Sequence, residues 1–128
     1  MKNIILVLIA FTISTQISFA QTNDSADSEN FVGQWKIDLR PTPSSEGYYQ
    51  YFVVTKIDGN SFEGTFYGSP IKNGLINSNW DRFYFAFSTS DSNYDYFHSG
   101  YVLDGKIYGI SYCPGREFTA PWNGTLSK

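Results

Sequence analysis

Eight short stretches of this chain alternate apolar and polar residues with a period of two, and turn signals close each one within a few residues. In 82–88, Phe83, Phe85 and Phe87 fall on one side, and Tyr84, Ala86 and Ser88 on the other. That spacing suits a β-strand with one face in a core and the other in water. The remaining stretches are 31–39, 48–57, 61–67, 71–77, 94–103, 106–112 and 117–126. Asp58-Gly59-Asn60 and Asp104-Gly105 supply tight hairpin turns. Gly68-Ser69-Pro70 and Cys113-Pro114-Gly115-Arg116 punctuate two further junctions, and 40–47 carries two prolines and a glycine. With no helix between them, strands adjacent in sequence become antiparallel neighbours in space.

Residue usage agrees. Of 24 aromatics, Phe11 and Phe19 fall in an N-terminal leader, while Leu, Ala and Met are scarce beyond it. Strand formers are abundant and helix formers are missing. The expected fold is therefore all-β: an eight-stranded antiparallel up-and-down barrel, whose closure removes the sheet edges. Glycines within the strands (Gly33, Gly64, Gly74, Gly100, Gly109 and Gly124) fit the bending that a small barrel needs. A β-sandwich remains the alternative, because alternation alone does not separate the two.

The expected domain plan is a signal peptide over 1–20, a flexible leader over 21–30 and a barrel domain over 31–128. Met1-Lys2-Asn3 precedes an apolar run, and Ser18-Phe19-Ala20 resembles a cleavage site. The run is well short of the ~20 residues of a membrane span. The sequence thus predicts a secreted or periplasmic protein. Beyond residue 20, 8 Lys+Arg face 12 Asp+Glu, and the absence of a basic run argues against nucleic acid. Cys113 is the only cysteine, so no internal disulfide can form.

In 31–39, Phe31, Gly33, Trp35, Ile37 and Leu39 share one face, with Gly33 giving room beside the Trp35 indole. This G-x-W opening of an eight-strand meander resembles the calycin superfamily of lipocalins, avidins and fatty-acid-binding proteins. It is most similar to short bacterial lipocalin-like domains. The resemblance covers about 31–126. It lacks the second motif and terminal helix of longer lipocalins, and the helix pair of fatty-acid-binding proteins. It implies a barrel that can hold a small ligand, and an arginine, Arg116, stacked on Trp35 to help close it.

Inward parity predicts that Trp35, Phe62, Phe66, Phe83, Phe85, Phe87, Phe118 and Trp122 line a pocket in the barrel or at its mouth. The same rings can instead fill the barrel, which moves any binding to the mouth or outer wall. Ten tyrosines cannot all point inward, so some stand on the rim or outer face and can anchor a partner. His98 is the only histidine and shares parity with Tyr96 and Gly100. No catalytic constellation, cofactor motif or metal-ligand set is visible, and Asp91-Ser92-Asn93-Tyr94-Asp95 lacks the glycine and closing glutamate of a calcium loop. The expected function is non-catalytic binding of a small apolar or aromatic ligand. The alternative is a protein-interaction module, such as an inhibitor of a secreted hydrolase, working through rim loops and exposed tyrosines.

Overall fold

The computed structural model describes Ser28 and residues 30–127. The expected signal peptide and most of the leader lie outside the described residues. Nine strands follow in order: β1 (Gly33–Asp38), β2 (Tyr49–Asp58), β3 (Ser61–Phe66), β4 (Ser69–Pro70), β5 (Lys72–Asn77), β6 (Phe83–Ser90), β7 (Asp95–Leu103), β8 (Lys106–Cys113) and β9 (Phe118–Ser127). All pairings are antiparallel. Because β1 pairs with both β2 and β9, and β2 also with β3, the sheet closes into an eight-stranded barrel. The two-residue β4 is an extra hairpin arm on β3. Closure decides for the barrel over the sandwich.

The turn chemistry explains the register. Leu103 pairs with Lys106 across Asp104 and Gly105, whose φ values of 51° and 74° are the pattern of a type I′ turn. The unanticipated β3–β4 hairpin uses the same device, with Tyr67 and Gly68 at φ 53° and 77°. Between β8 and β9 the break at Pro114 becomes a single 3-10 turn, Pro114–Arg116.

Phe31 departs from expectation. It lies in a short helical turn with Ser28 and Asn30, not in a strand. Its ring nonetheless enters the barrel, 4.9–5.8 Å from the rings of Phe52, Phe62, Phe83 and Phe85. Its carbonyl accepts from Trp35 Nε1 at 2.9 Å. Phe31 thus plugs the end where β1, β3 and β6 start. Gly33 serves another partner than the one expected: at φ 143°, it makes room for the Leu126 side chain, not for the Trp35 indole.

The interior is built in layers. Phe83, Val102, Ile107 and Gly124 face each other across β6, β7, β8 and β9. Above them, in the same strand order, lie Phe85, Gly100, Gly109 and Trp122. The Phe85 and Trp122 rings stack at 6.1 Å over the two glycines between them. A methyl group on Gly109 would enter the Trp122 ring, and one on Gly100 would meet the Tyr108 carbonyl oxygen and Phe85. Backbone cannot yield as a flexible side chain can, so Gly100→Ala is expected to cost about 2–3 kcal/mol by overpacking. Urea unfolding of the variant reads this; a loss under about 0.5 kcal/mol would contradict the layer packing.

Candidate functional site at the open end of the barrel

The rings predicted to line a pocket mostly fill the barrel. Trp35, Phe62, Phe83, Phe85, Phe87 and Trp122 are buried and belong to one core cluster with Phe31, Phe52 and Phe66. Only Phe66 and Phe118 of the eight line the one large recess at the barrel mouth, where β6 ends and β9 begins. Phe118 is the most exposed of the eight, at 39%.

The mouth is hollow because the next layer up is small on its β8 and β9 side. Phe87, His98, Ser111 and Ala120 face one another across β6, β7, β8 and β9, directly above the Phe85–Trp122 layer. On β9 the Ala120 methyl group thereby stands where the layer beneath carries the Trp122 indole, and on β8 Ser111 adds only a hydroxyl. The recess has a volume of about 520 Å³. Its walls include Leu39, Tyr48, Phe66, Tyr67, Tyr96 and Phe118. The Tyr48 and Tyr67 hydroxyls touch at the rim, and this hydrogen bond raises the Tyr67 phenol above its ordinary range.

His98, Thr89 and Ser111 form the floor, and all three are buried. His98 Nε2 lies 2.9 Å from Thr89 Oγ1, and Nδ1 lies 2.7 Å from Ser111 Oγ. Trp122 Nε1 donates to the same Ser111 Oγ at 2.9 Å. The imidazole packs against two neighbouring rings, with Phe66 and Phe87 centroids at 4.3 and 4.6 Å. Burial pushes His98 down from its ordinary 6.5 to about 4, so it is neutral near pH 7.

A second polar group sits on the rim. Arg116 donates to the Tyr96 hydroxyl, which donates to Asp91, both at 3.0 Å. Asp91 also accepts from the backbone N–H groups of Asn93 and Tyr94, and these bonds hold its carboxyl below the usual range. The carboxylate expected at the head of a calcium-like loop is therefore turned into its own turn. Arg116 does not reach Trp35 as the resemblance implies. Its guanidinium lies 5.4 Å from the Phe118 ring and 6.0 Å from that of Tyr96, at the opposite end of the barrel from the Trp35–Phe31 bond. Cys113 is fully buried and free.

A groove of about 870 Å³ runs along the outer wall, beside the loop that follows β1. Tyr101 and Tyr108 stack there at 5.2 Å, and Tyr84 lies 6.2 Å from Tyr101. It is larger than the mouth, yet none of its walls carries a buried polar group comparable to the His98 floor. Among the described residues, no three His, Cys, Asp or Glu side chains gather as a metal site would require, and no helix is long and apolar enough to cross a membrane. Thr89, His98 and Ser111 were not anticipated as a group. Their signal was polar side chains at inward parity, in strands whose other inward positions are apolar or glycine.

Comparison with protein-family models, with curated proteins and with solved structures returned no match.

Proposed function

We propose that this chain is an exported, non-catalytic binding protein of lipocalin-like build, holding a small, largely apolar ligand in the mouth of its barrel. One observation carries this proposal: a recess of about 520 Å³, walled by aromatic rings and floored by three buried polar side chains, above a barrel otherwise filled. Recesses of roughly 300–1,000 Å³ with apolar walls and a few converging polar groups suit small molecules. The filled core confines the ligand to the mouth and leaves the inner rings a structural task.

Native mass spectrometry of the purified protein, with tryptophan-fluorescence titration of apolar aromatic probes, tests the proposal. Ala120 sits on the floor layer opposite Ser111, and Ala120→Trp would fill the recess from β9. The expected result is a co-purified mass or saturable quenching in the wild type, and at least about a tenfold weaker response in Ala120→Trp, since a displaced ligand loses most of its apolar burial. No mass and no quenching in the wild type would sink the proposal. The outer tyrosine groove favours a second reading, docking of an exported protein partner. Ala120→Trp separates the two, because it leaves the outer wall intact.

A further inference from the structure

We propose that the mouth selects an uncharged aromatic carbonyl compound, whose C=O accepts a hydrogen bond from the Thr89 hydroxyl at the floor. This rests on the mouth being a ligand site. A count of hydrogens carries the proposal. Neutral His98 has one N–H, and Thr89 and Ser111 each have one O–H, which makes three hydrogens. The two contacts that join these residues use two of them. The third has no acceptor among the described residues: neither hydroxyl makes a further donated bond there, and Trp122 Nε1 can only donate. The count is the same for either imidazole tautomer.

The tautomer decides only where the spare hydrogen sits. Trp122 donates to Ser111, which fixes one end of the chain. A head-to-tail chain then runs from Trp122 to Ser111, to His98 Nδ1, and from His98 Nε2–H to Thr89. Such a chain is cooperatively polarised, each donor strengthening the next. The spare hydrogen is then the Thr89 O–H, on a residue 4% exposed that lines the recess. The opposite arrangement makes Ser111 accept from both Trp122 and His98 and breaks the chain.

A buried donor left without an acceptor is costlier than an acceptor left half-used. The floor therefore favours a ligand atom that accepts. It disfavours charge, because among the described residues no ionised group stands at that depth to pair with one, and burying an unpaired charge is costly. The cationic Arg116 and the anionic Asp91 are already joined through Tyr96 at the rim. Phe66 at the wall and Phe118 at the lip, with Arg116 over the latter, offer flat faces to a ring.

Fluorene and 9-fluorenone form a suitable probe pair, equal in shape and differing by one carbonyl oxygen. Their dissociation constants are measured on the wild type, Thr89→Val and Thr89→Ser. Fluorenone is expected to bind the wild type about tenfold tighter than fluorene, the value of one buried hydrogen bond. Thr89→Val should erase that preference, while Thr89→Ser keeps it. The infrared carbonyl stretch of bound fluorenone should lie lower in the wild type than in Thr89→Val. Equal binding of both probes to the wild type overturns the carbonyl proposal and leaves the mouth as an apolar site. A preference that survives in Thr89→Val overturns the assignment of the donor. Binding of neither probe overturns the mouth as a site for aromatic ligands of this kind, and the carbonyl proposal with it.

Discussion

Phe52→Ala is expected to destabilise the protein by about 3–5 kcal/mol, the range for a fully buried phenylalanine truncated in a core that cannot collapse around the gap. Phe52 has no exposed surface, and its ring lies 5.0–6.3 Å from those of Phe31, Phe62, Phe66, Phe85, Phe87 and Trp122. It therefore joins the plugged end of the barrel to the layer beneath the mouth. A closed ladder holds the strands at fixed spacing, so they cannot close in on the void. For a domain near 100 residues, each kcal/mol moves the melting temperature by roughly 4–8 °C, so a fall of at least about 12 °C is expected. Tyr51, the next residue, points outward and is 45% exposed. Tyr51→Ala serves as the control and should cost under about 1 kcal/mol. Thermal melts by circular dichroism compare the two. A Phe52→Ala protein within 1 kcal/mol of wild type would mean that the rings do not form one packed unit.

The barrel was legible because its signals are local. Alternation in 82–88 places Phe83, Phe85 and Phe87 inward, and Asp104-Gly105 dictates both the turn and the pairing of β7 with β8. Phe31 shows where local pattern fails. It has the parity of the strand after it, yet its ring reaches the core from a helical turn, because an open barrel end must be stoppered by something bulky. Arg116 fails for a related reason. Stacking on Trp35 requires both at one end of the barrel, and in an antiparallel meander the start of β9 and the start of β1 lie at opposite ends. The site was half legible. Sequence showed more rings at inward parity than a pocket and a core could share. It could not show where the rings thin out, since that depends on the register that sets the small Ser111 and Ala120 beside Phe87 and His98.

His98 gives the molecule a pH dependence in a window where few other groups titrate. In the unfolded chain it titrates near 6.5, whereas in the barrel burial pushes it down to about 4. Between those values the unfolded chain binds more protons than the folded one, so stability falls as pH falls through the window. It is intact above about pH 7, and the loss is complete below about pH 4. A difference of about 2.5 units corresponds to roughly 3 kcal/mol. The hydrogen bonds to Thr89 and Ser111 do not oppose this, because neutral hydroxyls hold either form of the ring. Asp91 and Arg116 line the same recess with opposite charges, and Tyr67, its phenol raised above the ordinary range, stays protonated throughout the window. Asp38 and Asp91 are held below the ordinary carboxylate range, the first mainly by Arg40 and the second by backbone N–H groups. Their contributions are lost as pH falls below about 4, beneath the His98 window. Urea unfolding at pH 7, 6, 5 and 4.5 should therefore show a progressive loss in the wild type. His98→Gln, which keeps a donor and an acceptor at that position but does not titrate, should flatten the curve. A wild-type stability constant from pH 7 to 4.5 would show that the imidazole takes its proton in the folded barrel as readily as in water, and that the floor beneath the mouth is wet.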